Sequence, residues 1–260
     1  MDNSPPAPAP PSRVRSLGWL QMAFLAVLAL WMLGRITFVT VAVWPRPVMR
    51  AVLEMASGLV LLWVGIGGTL MYVSRDRIKA LCRQIPCDWR ISFFLLAVLL
   101  AMSEEAITTL LTNCAPLFGV KVGEAYITAS SNYFDVICCH SVITFLPAFA
   151  FWAWLLSRYD FSPFEAFVCF GIYGNIGEAI FGGFRPADSP FWMFVYGLMV
   201  YLPAYVFADR RGWRRVSWPQ YLMGTAGAMA CAMIWVLFLK LTMLRNHPDL
   251  HFPPIHFNEP

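Results

Sequence analysis

Long apolar runs dominate this sequence and restrict its fold more than any other feature. About 20 consecutive, mostly apolar residues are needed for a helix to cross the hydrocarbon core of a bilayer. Seven stretches approach or exceed that length: residues 17–43, 48–73, 91–113, 134–156, 163–183, 190–208 and 219–243. Only helices and closed barrels satisfy the backbone inside lipid, and these runs are too long for barrel strands. The sequence therefore predicts an all-α, polytopic integral membrane helical bundle with about seven transmembrane helices.

The composition excludes a soluble protein. Hydrophobic residues make up 59% of the 260 positions and charged residues only 13%, whereas about 25% of a soluble domain is charged. A soluble core of this size could not bury so much apolar surface. The formal net charge of +4 is too small to indicate nucleic acid binding, so the expected partner is the lipid bilayer.

The distribution of basic residues predicts the orientation of the bundle. Twelve Lys and Arg residues lie in the N-terminal tail and in the predicted loops 74–90, 157–162 and 209–218, and five lie on the opposite side. Cytoplasmic loops carry the excess of positive charge. We therefore expect a cytoplasmic N-terminus, an outer C-terminus and a location in the cell (inner) membrane.

Both tails are predicted to be disordered, which leaves residues 17–243 as a single transmembrane domain. Residues 1–16 form a Pro-rich cytoplasmic tail, and residues 244–260 form an outer tail rich in Pro and His. The histidines of the outer tail are His247, His251 and His256. They are expected to be solvated, because no fold would hold them in place as metal ligands.

Ionisable side chains inside the predicted spans indicate a functional site. Such groups are costly in lipid and commonly mark chemistry or transport. The positions are Arg35, Glu54, Glu104, Glu105, Asp135, His140 and Glu178. At about 1.5 Å of rise per residue, those from five different spans lie about 8 to 14 Å below the outer ends of their helices. They share the outer half of the bilayer, so the sequence predicts one polar cavity there.

The third span carries two adjacent acids, Glu104 and Glu105. Consecutive helical residues point about 100° apart, so only one of them is expected to point squarely at the bundle centre. An alternative is that Ser103 caps a short second helix and places both acids in its first turn, where the helix dipole favours them.

The fourth and fifth spans carry further candidates. Asn132 followed by Asp135 resembles a capping box, which would explain that acid without any function. His140 lies too deep for capping and is the only histidine within the predicted spans. Asn175 and Glu178 share a Gly-rich helix face, where they either serve a site or hydrogen-bond between helices.

These groups suggest acid–base chemistry. Glu104, Glu105, His140 and Glu178 are the predicted catalytic residues, and Arg35, Asp135 and Asn175 are the predicted substrate-binding residues. A buried Arg35 needs a counter-ion, for which Glu54, Glu104 and Glu105 are the candidates. Such a set could activate water against an acyl or lipid-linked bond, as in a hydrolase or a lipid-modifying transferase.

The sequence assigns no metal site with these residues. Zinc sites commonly recruit several His or Cys ligands, and only one His lies in the spans. If a cofactor is used, Mg²⁺ or Mn²⁺ bound by Glu104, Glu105, Glu178 and Asn175 is the expected form.

Two other functions fit the same residues. A proton- or cation-coupled transporter predicts a polar path that continues into the cytoplasmic half. A non-enzymatic scaffold subunit predicts polar side chains that pair with one another in separate, filled seams. An enzyme predicts a pocket that is closed at the bottom and joins Glu104 or Glu105 with His140 and Glu178.

Overall fold

The computed structural model describes residues 17–181, 185–210 and 214–255, and this part of the chain is helical without a β-strand. The predicted all-α class is confirmed. In chain order the longer helices are α1 (Trp19–Val43), α2 (Pro47–Arg83), α3 (Trp89–Asn113), α4 (Tyr133–His140), α5 (Val142–Leu156), α6 (Pro163–Phe181), α7 (Ser189–Val206) and α8 (Trp218–Leu241).

The helices have the lengths and hydropathy of a multi-pass membrane protein. In the described ranges, five segments are long and apolar enough to cross a bilayer, and a sixth is obtained if α4 and α5 form one span that bends by 51°. Helix α6 is not among them, although it packs along α7. A seventh crossing therefore stays a prediction.

Helix α2 is longer than its predicted span. It continues for 37 residues through much of the predicted loop 74–90, because neither Gly nor Pro interrupts the sequence between position 68 and Pro86. Its last turns lie beyond the apolar run, where Lys79 (2.8 Å) and Arg83 pair with Asp209. These ion pairs fasten the end of α2 to the segment that follows α7.

The break between α4 and α5 lies at Ser141, six residues before Pro147. The chain winds as a π-helical turn from Val136 to His140, and Ser141 has φ −96° and ψ −68°. Pro147 instead lies within α5. Proline cannot donate to the carbonyl four residues earlier, and Trp235 of α8 donates its indole N–H to that carbonyl, of Ile143, at 2.9 Å. This hydrogen bond satisfies the carbonyl that Pro147 leaves without a backbone donor.

The two ends of the bundle are held together differently. At one end, here called the basic end, the loop 157–162 pairs with the segment after α7 through the amide of Asp160, which donates to the carbonyl of Arg214. At the other end, here called the capped end, the loop 114–132 is covered by residues 242–255. There the amide of His251 donates to the carbonyl of Ala129, and the ring of Tyr126 stacks on Phe252 at 4.8 Å.

Small residues let α6 and α7 pack in close contact, as the Gly-rich face of α6 predicts. A Cβ atom at Gly197 would lie 2.5 Å from the ring of Phe167 and 2.8 Å from its carbonyl oxygen, and one at Gly171 would lie 2.9 Å from the carbonyl oxygen of Met193. Backbone atoms cannot move aside as a side chain can. The helix pair therefore depends on these glycines.

We predict that Gly197→Ala destabilises the bundle by about 1 to 3 kcal/mol, the usual cost of overpacking a well-packed interior. Thermal unfolding of the protein in lipid nanodiscs measures the effect. Gly34→Ala is the control, because nothing lies within 4 Å of a Cβ atom at that lipid-exposed position. Equal stability of the two variants would contradict the close packing of α6 and α7.

Candidate functional site

A large cavity of about 1110 Å³ lies in the half of the bundle next to the capped end. Its walls come from all eight helices, from the loop 114–132 and from the C-terminal segment. Five residues that the sequence analysis placed in a common polar cavity line it: Arg35, Glu104, Glu105, His140 and Glu178. Glu54, Asp135 and Asn175 are not among its lining residues.

Buried aromatic rings close the cavity below. Phe149 stacks on Phe170 with ring centroids 5.4 Å apart, and Phe170 stacks on Tyr173 at 4.6 Å. Trp63 fills the adjoining space and donates its indole N–H to the carbonyl of Val195. In the part of the chain that the structure describes, no lining residue comes from the loops of the basic end, so the cavity stops near the middle of the bundle.

Both adjacent acids of α3 line the cavity. Glu104 is 4% exposed and Glu105 is 8% exposed. The cavity is wide enough to receive side chains about 100° apart, and the expectation that only one of them points squarely at the bundle centre stays a prediction. The broken-helix alternative is also wrong, because α3 is continuous and the hydroxyl of Ser103 donates to the carbonyl of Leu99 at 2.8 Å.

The two acids of α3 have different surroundings. Glu105 accepts a hydrogen bond from the hydroxyl of Thr108 at 3.0 Å, and the hydroxyls of Thr128 and Ser141 lie beside its carboxylate. Glu104 lies close enough to Glu105 and Glu178 to interact with them electrostatically. We refer to Glu104, Glu105 and Glu178 as the carboxylate cluster.

Glu178 is held by a residue that sequence reasoning missed. The hydroxyl of Tyr196 on α7 donates to its carboxylate. The ring of Tyr196 lies directly against Gly174 of α6, in space that any side chain at position 174 would occupy. The Gly-rich face of α6 therefore does more than allow close packing, since it brings this phenol to Glu178.

Asn175 lies in the seam between α6 and α7. Its amide donates to the carbonyl of Gly171 at 2.9 Å, and the hydroxyl of Ser189 donates to its side-chain oxygen at 2.9 Å. The geometry is that of an interhelical hydrogen bond, the alternative that the sequence left open. Asn175 is not among the residues that line the cavity, whereas the three acids of the carboxylate cluster are.

The counter-ion of Arg35 is one that the sequence analysis did not consider. Arg35 pairs with Asp188 at 2.8 Å, and both line the cavity. The expected pairing with Glu54, Glu104 or Glu105 is wrong, because the turn Pro186–Asp188 before α7 brings a nearer acid. Glu54 instead lies 3.8 Å from Arg50, one turn away on its own helix.

Asp135 faces a cluster of histidines. Asn132 does cap α4, by accepting from the amide of Phe134 at 3.0 Å. Asp135 does not complete the predicted capping box. Its Oδ2 atom lies 3.5 Å from Nε2 of His140 and 3.0 Å from Nε2 of His251, and its Oδ1 atom lies 3.0 Å from Nε2 of His247.

These four residues are referred to as the His–Asp cluster. Their ligand atoms all lie within 4.8 Å of one another, and they form the one group in the described ranges that could hold a metal ion. Two of them, His247 and His251, come from the C-terminal tail that the sequence predicts to be disordered. Residues 242–255 of that tail make the contacts with the loop 114–132 described above, and the disorder stays a prediction. His256 lies outside the described residues.

Comparisons with protein-family models, with curated proteins and with solved structures found no match to this chain.

The cavity predicts different reactivity for two native thiols. Cys139 lines the cavity, whereas Cys169 is 3% exposed and lies among the aromatic rings below it. The test uses a Cys138→Ser background, which removes the adjacent lipid-exposed thiol. A small water-soluble thiol reagent should modify Cys139 at least about tenfold faster than Cys169, because access governs thiol reactivity. Mass spectrometry of the labelled protein measures this. Equal labelling before denaturation would contradict a closed floor.

Proposed function

We propose that the chain is an integral membrane enzyme, a hydrolase or lipid-modifying transferase, that acts on a substrate held in this cavity. The observation that carries the proposal is the carboxylate cluster: at the wall of one large cavity, Glu104 and Glu105 of α3 are buried and Glu178 of α6 is half-buried. Acids are rare at this depth because burying them is costly, and they are commonly retained for a function.

The carboxylate cluster has the groups that acid–base catalysis requires. When one member of a neighbouring carboxyl pair carries a proton, the pair offers both a donor and an acceptor. Glu105, with hydroxyl groups around it, and Glu104, with acids around it, differ in environment and therefore suit different roles. Tyr196 orients Glu178, and Arg35 with Asp188 adds a polar rim.

The remaining walls favour an amphiphilic substrate. Apolar residues form most of the lining, with flexible methionines among them: Met32, Met49, Met229 and Met233. Such side chains adapt to irregular apolar groups. A lipid-linked or acylated substrate would place its chain along these walls and its polar bond at the carboxylate cluster.

The shape of the cavity favours an enzyme over the two alternatives. A transporter needs a path through to the other side, and the stacked rings of Phe149 and Phe170 interrupt such a path. A scaffold needs no large cavity, and its polar groups would be paired in filled seams. Asn175 has that arrangement, but Glu104 and Glu105 line an open cavity.

His140 has a different place in this proposal from the one expected. Its Nε2 atom faces Asp135 and the tail histidines, and not the carboxylate cluster. The acid–base chemistry is therefore assigned to the glutamates, and His140 contributes to the cavity wall.

We also propose seven crossings in the cell (inner) membrane, with a cytoplasmic N-terminus and an outer C-terminus. The excess of basic residues at the basic end supports this orientation. The cavity then opens toward the outer side.

Reporter fusions test the orientation. A bacterial alkaline phosphatase fused after residue 260 should be active and a green fluorescent protein at the same place should be dark, because each folds on only one side of the membrane. Fusions within the loop 157–162 serve as the control and should give the reverse. A fluorescent C-terminal fusion would overturn the proposed orientation.

Removing single carboxylates tests the chemistry. We expect Glu104→Gln and Glu105→Gln each to lower turnover by about 10²- to 10⁴-fold, the usual contribution of a general acid or base. The assay incubates the protein in nanodiscs with ester-, amide- and phosphodiester-linked lipids and detects products by mass spectrometry.

Glu54→Gln is the matched control for that assay, since Glu54 lies outside the cavity and should retain full turnover. Loss of activity in all three variants with reduced protein levels would indicate a structural role. Absence of any product, together with proton or cation flux in liposomes, would favour a transporter.

A further inference from the structure

We propose that His140, His247, His251 and Asp135 form a four-coordinate zinc site that fastens the C-terminal segment across the cavity. The proposal does not depend on chemistry at the carboxylate cluster. It rests on the spacing of the ligand atoms, on unpaired buried polar atoms and on the path of the chain after α8.

The distances within the His–Asp cluster fit a tetrahedral metal ion. Zinc with bonds of about 2.0 Å to nitrogen and oxygen places neighbouring ligand atoms about 3.3 Å apart. The observed contacts are 3.0, 3.0 and 3.5 Å from the Asp135 carboxylate to the three Nε2 atoms, and 3.4 Å between His247 and His251. All three imidazoles present the same ring nitrogen to the centre.

The rings themselves repeat this geometry. Three imidazoles bound to one tetrahedral ion through nitrogen have their centroids roughly 5 Å apart. The centroids of His140, His247 and His251 are 5.0, 5.2 and 5.1 Å apart, and the ring planes are inclined by 47° to 85°. The near-equal separations indicate three rings arranged around a common point and not a stack.

Two buried atoms lack a hydrogen-bond partner where the metal would lie. These are Nε2 of His140, whose side chain is only 8% exposed, and Oδ2 of Asp135. Oδ2 has nitrogen atoms at 3.0 and 3.5 Å, yet none of these contacts has the direction of a hydrogen bond. Lone pairs that converge without a proton between them repel, and a divalent cation removes that repulsion. Three ring nitrogens around one carboxylate favour Zn²⁺ over Mg²⁺ or Ca²⁺, which prefer oxygen ligands.

The local backbone is wound to form half of this site. In an α-helix, residues five apart are about 140° apart around the axis, so Asp135 and His140 would diverge. The π-helical turn that ends α4 has wider winding, and the amide of Ser141 donates to the carbonyl of Val136 five residues earlier at 2.9 Å. This turn brings Asp135 and His140 onto one face. Such turns occur frequently at functional sites.

The C-terminal segment supplies the other half. His247 and His251 have the H-x₃-H spacing that recurs in zinc sites. The segment is held beside them by an ion pair between Lys240 and Asp249, and Leu244 and Leu250 face the cavity. A metal bound to both halves would therefore hold residues 244–250 against the mouth of the cavity.

Metal binding to the purified full-length chain tests the site. The protein is prepared without a histidine tag, stripped with a chelator and titrated with Zn²⁺ in nanodiscs. We expect one zinc per chain by elemental analysis, and intense visible absorption when Co²⁺ occupies the tetrahedral site instead.

His247→Ala and His251→Ala should each weaken zinc binding by at least about 100-fold, since losing even a group that supports a ligand costs 10- to 100-fold in metal affinity. The exposed neighbour Asn246→Ala should bind as the unmodified protein does. Both histidines lie outside the helices, so these variants keep the bundle intact.

Trypsin cleavage after Arg245 tests the fastening. Zn²⁺ should slow this cleavage at least about tenfold, because a ligand that binds only the closed form suppresses local opening. Cleavage after Arg215 at the basic end is the internal control and should not change. No bound zinc, or zinc retained in the histidine variants, would overturn the site. Bound zinc with unchanged cleavage after Arg245 would overturn the fastening.

Discussion

The cost of placing charged groups in an apolar bundle determines most of this structure. A charge buried in lipid-like surroundings is tolerated only if a partner, a hydrogen bond or water compensates it. The chain meets this requirement differently at each place. Arg35 has Asp188, Glu178 has the phenol of Tyr196, and Glu105 has hydroxyl groups from three segments. Glu104 has mainly other acids nearby, and it therefore depends on the cavity itself for solvation.

The close packing of apolar and small residues around the cavity holds these polar groups in place. Helices α6 and α7 approach so closely at Gly171, Gly174 and Gly197 that their backbones and rings replace side-chain packing. That contact forms a firm wall, from which Tyr196 reaches Glu178. Below the cavity, the stacked rings of Phe149 and Phe170 exclude water from the middle of the bundle. The carboxylate cluster is thereby confined to one end, and the other end is held together by ion pairs such as that between Lys79 and Asp209.

Sequence reasoning predicted the class and the shared cavity for a physical reason. Hydropathy and helical rise are local properties, so the depth of Arg35, Glu104, His140 and Glu178 follows from counting residues, and these residues do line one cavity. The partners of these polar side chains were predicted less well, because they lie in segments whose position in space does not follow from counting residues along a helix. Asp188 lies in a short turn, and Tyr196 resembles any other aromatic residue of a transmembrane helix. Neither carries a local signal of its role.

The histidines are the clearest example of a site that local sequence features do not predict. Judged alone, His140 is a single buried histidine and His247 and His251 belong to a polar tail, so neither set suggests a metal. The spacing H-x₃-H was a usable signal, but it becomes informative only when a second pair of ligands is near. The π-helical turn supplies that pair by rotating Asp135 and His140 onto one face, and a turn of this kind is not apparent from composition or periodicity. The same bend that interrupts the span at Ser141 therefore directs Asp135 and His140 toward the capped end, where the C-terminal segment contacts them. A local irregularity in one helix thus determines whether the C-terminal segment has anything to bind.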